Sequence, residues 1–216
     1  MERVLIRVVF CLAFLMLTFS SSANTDRKQA MIVSKRAAKG ECKENLRDFY
    51  VALTNYAALN NGKLPAKNNL AGLQDLLAHG VTLDNFYCSY YKGEKYKENK
   101  KSKKKDTFQE KNSAYIYFGG INLTSSRINV PKMIVMCDKF FAAGSGHLRV
   151  LLIDGSVLEL KSNKLALSGK AVKLENIVGL VDYLAKKYQY PQEVYQILRN
   201  KAAAMDAEFS AKEKKK

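Results

Sequence analysis

The thirteen residues LRVLLIDGSVLEL, at positions 148–160, place two apolar runs on either side of the pair Asp154-Gly155. An Asp-Gly pair between apolar strands is the strongest short-range signal of a β-hairpin, and its usual two-residue turn needs positive φ at both central residues. Two further β-branched and aromatic runs come earlier, Ser113–Phe118 before a Gly-Gly pair and Met133–Cys137 after Pro131. Together these runs predict a small antiparallel sheet.

A long helix is predicted to precede this sheet. From Asp26 to about Leu59 the chain has no Pro, and its only Gly is Gly40. Apolar residues recur there at helical spacing, namely Cys42, Leu46, Phe49, Tyr50, Leu53 and Ala57. That spacing places one apolar stripe along an amphipathic helix. The Asn-Asn-Gly-Lys-Leu-Pro run at 60–65 should end it, because Asn and Gly accept left-handed backbone and Pro cannot continue a helix.

The rest of the chain returns to helical spacing. Leu70–His79 predicts a shorter helix that stops at Gly80. Two C-terminal stripes, Leu174–Leu184 and Val194–Ala202, are separated by Tyr190-Pro191 and predict two more helices. The predicted fold class is therefore α+β, with a long N-terminal amphipathic helix packed on a small antiparallel sheet and followed by two C-terminal helices.

The first 23 residues have the pattern of a signal peptide. Arg3 and Arg7 precede a 12-residue apolar run, Val8–Phe19, and the small residues Ser-Ser-Ser-Ala follow it. Twelve helical residues span about 18 Å, short of the hydrocarbon thickness of about 30 Å. We expect cleavage after Ala23 and an exported, periplasmic or secreted protein; the alternative is an inner-membrane anchor through residues 8–20.

The mature chain is predicted to have three parts. A head at 24–165 precedes a C-terminal helical extension at 166–209 and a basic tail at 210–216. The head contains a segment that we call the Lys-rich loop, residues 92–106, with eight Lys against three acidic residues and a net charge of +5. Such runs usually stay solvated.

The chain as a whole carries a net charge of +16, which favours anionic partners. The candidates for a weak contact with anionic lipid or acidic polysaccharide are Lys100, Lys101, Lys103, Lys104 and Lys105. No spacing of basic and aromatic residues matches a known nucleic-acid module, so no specific nucleic acid is expected.

Enzyme motifs are scarce in this sequence. With only 2 His, no nucleophile elbow, no zinc-protease motif and no phosphate-binding loop, we expect no catalytic site, cofactor or metal. The alternative is an exported enzyme of unknown type that uses Cys137 or His147. These two residues lie near each other in sequence.

Three cysteines remain after export, Cys42, Cys88 and Cys137, because Cys11 lies in the leader. In an oxidising compartment three thiols predict one disulfide and one spare thiol. Spacing alone leaves the connectivity open.

Seven segments in order form a recognisable series. They are Cys42–Arg47, Ala52–Tyr56, Asn60–Pro65, Phe86–Ser89, Ser113–Gly120, Cys137–Lys139 and Val150–Val157. This series resembles the pseudopilin-like, prepilin-type proteins of type II secretion that are abundant in planctomycetes, verrucomicrobia and lentisphaeria. The resemblance covers roughly Lys39 to Leu160. It implies a pilin-like α+β head and no catalytic residues.

The resemblance also directs the functional expectation. The prepilin processing motif of those proteins needs a Gly and a nearby Glu, whereas Arg7–Leu12 here has neither, which leaves an ordinary export signal. We therefore expect a non-enzymatic structural or interaction protein, with protein partners in a secretion-related or cell-surface assembly. The favoured disulfide is Cys42–Cys88, and the alternative is Cys88–Cys137.

Overall fold

The computed structural model describes residues 40–88, 113–122, 130–139, 147–161, 166–167, 170–171, 174 and 176–213. By compactness the chain divides into Met1–Gly40 and Glu41–Lys216, and the elements below belong to the second unit. The predicted signal peptide, the apolar segment 8–20 and the whole Lys-rich loop lie outside the described residues.

The helix before the sheet, α1, is described over residues 40–59. Five residues of its predicted stripe are buried, namely Cys42, Leu46, Phe49, Leu53 and Ala57. The helix ends as its sequence predicts: Asn61 and Gly62 both have positive φ, 53° and 75°, and the Gly62 amide donates to the carbonyl of Ala57 at 2.8 Å. The predicted extension of this helix toward Asp26 lies outside the described residues.

Four antiparallel strands form the main sheet in sequence order. They are β1 (Tyr115–Tyr117), β2 (Ile134–Asp138), β3 (His147–Leu152) and β4 (Val157–Lys161). Every residue of β1 and β2 is buried, which means that both faces of these strands are covered. The chain is therefore α+β, as predicted.

The hairpin between β3 and β4 forms, but its turn differs from the predicted one. The Gly155 amide donates to the Leu152 carbonyl at 2.9 Å, so Ile153 and Asp154 occupy the turn centre. Only Gly155 has positive φ, 81°, which is the pattern of a three-residue loop closed by a left-handed Gly. A Cβ on Gly155 would also lie 2.6 Å from the Tyr50 ring of α1, so this turn packs on the helix.

A short helical segment connects α1 to the sheet. Where one helix was predicted over Leu70–His79, the chain forms a short α-helix, α2 (Asn69–Leu73), that continues as a 3-10 helix, Gln74–His79. Gly80 ends it in left-handed backbone with φ 101°, as predicted. A second 3-10 turn, Leu83–Phe86, follows.

Two C-terminal helices, α3 (Ile177–Tyr188) and α4 (Gln192–Glu213), flank Pro191. The side chain of Asn176 caps α3 by accepting from the Gly179 amide at 2.7 Å. Asp206 of α4 accepts from the amides of Ile177 and Val178, both at 3.0 Å, and so joins the two helices. Helix α4 continues to Glu213, through the first four residues assigned to the basic tail.

Before α3 the chain forms a small antiparallel pair that the sequence did not predict, β5 (Ala166–Leu167) with β6 (Lys170–Ala171). These residues stand at the start of the predicted helical extension.

Helices cover the two faces of the main sheet. On one face the Tyr115 ring lies 5.5 Å from the Phe49 ring of α1. Side chains alternate along a strand, so Lys139 points to the face opposite that of Asp138, the register partner of Tyr115. On that opposite face the Lys139 amino group lies 5.6 Å from the centre of the Phe209 ring of α4.

Candidate functional site: the clamp between helix α1 and the loop before the sheet

The earliest described turns of α1 are held to the loop before the sheet by a set of residues that we call the clamp: Cys42, Asn45, Asp48, Asn85, Tyr87 and Cys88. Its covalent member is the disulfide between Cys42 and Cys88, whose Cα atoms lie 5.2 Å apart. The favoured pairing is confirmed. The alternative partner, Cys137, is a free and buried thiol.

Side chains add a second layer to the clamp. The amide nitrogen of Asn45 donates to the Tyr87 carbonyl at 2.8 Å, and that of Asn85 donates to Asp48 Oδ2 at 2.9 Å. The oxygen of Asn85 accepts from the Thr82 amide at 2.8 Å, which fixes the Asn85 side chain over its own turn. These bonds orient α1 as well as attach it.

Aromatic packing lies directly under the clamp. The rings of Phe49 and Phe86 meet edge to face, with centroids 5.2 Å apart at 89°. Both residues are fully buried. The segment Cys42–Arg47 and the described part of Phe86–Ser89, which carry the resemblance described above, thus meet at the clamp through the disulfide and the hydrogen bond from Asn45 to Tyr87.

Two further segments of that series meet at the other end of α1. The Leu64 amide donates to the Ile121 carbonyl at 2.8 Å, and the Gly120 amide donates to the Pro65 carbonyl at the same distance. Asn68 Oδ1 accepts from the Gly119 amide at 2.9 Å. The turn after α1 is therefore hydrogen-bonded to the segment that follows β1. The motif residues there fix the backbone of both segments.

Gly119 and Gly72 should tolerate no side chain at this junction. A Cβ on Gly119 would collide with the Lys67 carbonyl group, and a Cβ on Gly72 would collide with the same carbonyl oxygen and lie 2.8 Å from the Tyr117 ring. Backbone cannot move aside as a flexible side chain can. We expect Gly119→Ala and Gly72→Ala each to lower the free energy of unfolding by about 3 kcal/mol, as overpacking does.

Urea denaturation measures both variants against a matched control. Gly40→Ala places its Cβ in open space within α1, so it should leave stability unchanged or slightly raised. Unfolding curves of all three variants that superimpose on the parent would mean that the junction is not as close as described.

A row of ionisable side chains crosses the sheet below the clamp. Each of the four strands contributes one member. In the order β1 to β4 they are Tyr115, Asp138, Arg149 and Glu159. Arg149 Nη1 and the Arg149 amide both donate to Asp138 Oδ2, at 3.0 and 3.1 Å. Asp138 and Arg149 are only 6% and 2% exposed, so this is a buried ion pair.

The environment of this buried row shifts two pKa values. Burial raises the pKa of Asp138 to about 6, against the opposing effect of Arg149, and the charge of Glu159 acts in the same direction as burial. Burial, followed by the charge of Asp138, also raises the pKa of the Tyr115 hydroxyl. The sequence pattern did not predict this row, although one charged residue in each of two otherwise apolar strands was a signal for it.

The two residues of the predicted catalytic alternative, Cys137 and His147, lie on the neighbouring strands β2 and β3. Cys137 is fully buried in β2, and burial raises its pKa well above the ordinary value, mainly by desolvation. A nucleophilic cysteine needs the opposite shift and access to solvent. The backbone of His147 opens β3 opposite Lys161. The five candidate lysines, Lys100, Lys101, Lys103, Lys104 and Lys105, lie outside the described residues.

No group of three His, Cys, Asp or Glu side chains able to hold a metal ion occurs in the described part of the chain. Among the helices of that part, none is long and apolar enough to cross a membrane.

The chain matches no protein-family model, no curated protein and no solved structure.

Proposed function

We propose that this chain is an exported, non-enzymatic structural or interaction protein of a secretion-related or cell-surface assembly, with a pseudopilin-like head. The observation that carries the proposal is the clamp, which locks α1 onto the loop before the antiparallel sheet through Cys42–Cys88. A helix fixed in this way can transmit its position to a rigid head, which is what an assembly subunit requires.

The disulfide supports the exported location. Disulfides persist in oxidising compartments and are rare in a reducing cytosol. The apolar run Val8–Phe19 has the pattern of an export signal, which agrees with this location. The proposed route is cleavage after Ala23 and release into the periplasm or medium, with an anchor through residues 8–20 as the alternative.

The role of the motif residues supports a non-enzymatic function. In the described residues, Asn45 and Gly120 make backbone-fixing hydrogen bonds, and Asp138 is paired with Arg149 inside the sheet. Side chains in a catalytic site instead converge on a space that a substrate can enter. Protein partners are therefore the proposed ligands.

The outward side of α1 offers a contact surface for such partners. Val51 and Leu59 are 56% and 76% exposed on this helix, and both are large and apolar. Photocrosslinking in intact cells tests the proposal, with a photoreactive residue at Val51 or Leu59 and a control at the exposed Lys186 of α3. We expect adducts with envelope proteins from the two α1 positions and few from Lys186. Absence of adducts from every position would contradict an assembly role.

The enzyme alternative rests on Cys137 or His147, and thiol alkylation separates it from the proposal. A catalytic cysteine reacts quickly as a thiolate, whereas a buried neutral thiol does not. Native protein treated with iodoacetamide should remain unmodified at Cys137 and become modified only after unfolding. Rapid modification of the folded protein would favour the enzyme.

The Lys-rich loop is proposed to give weak, salt-sensitive attraction to anionic lipid or acidic polysaccharide. Its net charge of +5 acts at long range, but scattered Lys side chains define no fixed recognition geometry. Deleting residues 94–105 should leave the unfolding temperature nearly unchanged and lower retention on heparin at low salt. Unchanged retention would assign the charge a solubilising role only, and an unfolded deletion variant would mean that the segment is an ordered part of the head.

A further inference from the structure

The turn that ends α1 contains the only Asn-Gly pair of the chain, Asn61-Gly62. Such a pair can react within itself, because attack of the Gly amide nitrogen on the carboxamide carbon of the preceding Asn closes a five-membered ring. Gly has no side chain, so nothing attached to its Cα shields the nitrogen from this attack. What the fold does to these two groups therefore decides whether Asn61 is chemically stable.

The carboxamide of Asn61 is available for reaction. Asn61 is exposed, and its side chain makes no hydrogen bond within the described residues. Its neighbour Asn60 is held, since its amide nitrogen donates to the Tyr56 carbonyl at 2.8 Å, and the residue after Asn60 is Asn rather than Gly. The side chain of Asn61 is thus the one that can turn toward the Gly62 nitrogen.

The Gly62 nitrogen, in contrast, is held by the helix. Its N–H donates to the Ala57 carbonyl at 2.8 Å, and Gly62 has φ 75°. A nitrogen whose proton is hydrogen-bonded cannot give up that proton and attack until the bond opens. The terminal turn of a helix opens more readily than the helix interior. The bond from Gly62 to Ala57 therefore controls the reaction.

We propose that Asn61 is a site of spontaneous deamidation in the folded protein, at a rate set by the opening of the last turn of α1. The Gly62 nitrogen loses its proton and forms a bond to Asn61 Cγ, the Cγ–Nδ2 bond breaks, and ammonia leaves with that proton. Water from the solvent then opens the ring. Opening on one side of the ring nitrogen gives aspartate, and opening on the other gives isoaspartate, in which the main chain runs through the former side chain.

The Asp-Gly pair of the turn between β3 and β4 could close the same ring, but it is protected. Lys132 Nζ lies 2.6 Å from Asp154 Oδ2, and Oδ1 accepts from the amide and the hydroxyl of Ser156 at 3.0 and 2.6 Å. An ionised carboxylate held by three donors is a poor electrophile and cannot turn toward the Gly155 nitrogen. We expect Asp154 to stay unmodified where Asn61 reacts, so it is an internal control.

The product loosens the joint between α1 and the sheet. Isoaspartate lengthens the main chain between residues 61 and 62 by one carbon, which moves the Gly62 amide away from the Ala57 carbonyl. Both products also place a carboxylate at the C-terminal end of α1, where the helix dipole disfavours negative charge. The change reaches the sheet because the Leu64 amide, two residues after Gly62, donates to the Ile121 carbonyl at 2.8 Å.

Peptide mapping of the full chain during incubation in mildly alkaline buffer tests the proposal, with fragmentation spectra to distinguish aspartate from isoaspartate. We expect conversion of carboxamide to carboxyl at Asn61 in the folded protein, mainly as isoaspartate, and no isoaspartate at Asp154. The rate should be roughly tenfold higher in urea, where no helical turn holds the nitrogen. Asn61→Gln is the matched control and should stay unmodified in both conditions, because its longer side chain would have to close a larger ring. Folded protein that keeps Asn61 intact, or equal rates with and without urea, would overturn the proposal.

Asn60→Ala tests the control by the last turn without changing either reacting group. Loss of the bond from Asn60 to the Tyr56 carbonyl should let the turn open more often and speed deamidation of the folded protein several-fold, with no change in urea. The deamidated fraction of the parent, separated by ion exchange, should unfold a few degrees below the intact fraction. An unchanged rate in folded Asn60→Ala would contradict the control by the turn, and a deamidated fraction as stable as the intact one would contradict the loosening.

Discussion

Replacing Cys42 and Cys88 together by alanine is expected to lower the free energy of unfolding by about 4 kcal/mol. The two residues are 46 positions apart, and a cross-link of that span removes a large part of the conformational freedom of the unfolded chain. For a chain of this size the loss corresponds to a fall of roughly 10 °C in unfolding temperature. Thermal and urea unfolding monitored by circular dichroism measure both quantities.

Chemical reduction provides the control for this prediction. The reduced parent protein should unfold at nearly the same temperature as the double variant, and a reductant should leave the double variant unaffected. Cys137→Ala tests the free thiol separately, since its loss should cost only the packing of one small buried side chain. A double variant as stable as the oxidised parent would contradict the structural role assigned to the clamp.

Arg149→Met is expected to have an effect of similar size, about 4 kcal/mol at pH 7.5. The substitution keeps an unbranched apolar side chain but removes the guanidinium that donates to Asp138 Oδ2 at 3.0 Å inside the sheet. The carboxylate then remains buried without its charged partner. The loss should be smaller at pH 5, where the carboxyl takes up a proton.

The double variant Arg149→Met with Asp138→Leu separates charge from packing. Replacing both members of a buried ion pair by apolar residues of similar size is often neutral or stabilising. We therefore expect the double variant to regain most of the stability that Arg149→Met loses, as measured by urea unfolding at pH 7.5. A double variant less stable than the single one would mean that the pair contributes mainly through shape.

Local patterns predicted the elements of this fold better than their junctions. The stripe on α1 and the stop signals at Asn61-Gly62 and Gly80 were correct because they depend on neighbouring residues only. The turn at Gly155 was predicted with the wrong geometry, because the loop has three residues rather than two and only Gly155 among them has positive φ. The continuation of α2 as a 3-10 helix was likewise not visible in the helical spacing.

The candidate site shows the same division. Cys42 and Cys88 were paired correctly from the sequence, yet the Asn45 and Asn85 hydrogen bonds depend on how α1 meets the next turn in three dimensions. The pairing of Asp138 with Arg149 needs the strand register, which sequence spacing across a loop does not give. Their position within apolar strands was the only sequence signal.

We propose that this chain is exported and that the Cys42–Cys88 disulfide locks α1 to the head. Mass-spectrometric mapping, without reduction, of the protein isolated from its native host tests this most directly. The account predicts a mature N-terminus at Asn24, a Cys42–Cys88 cross-linked peptide and an unmodified thiol at Cys137. Protein that retains Met1 and carries three reduced cysteines would contradict it.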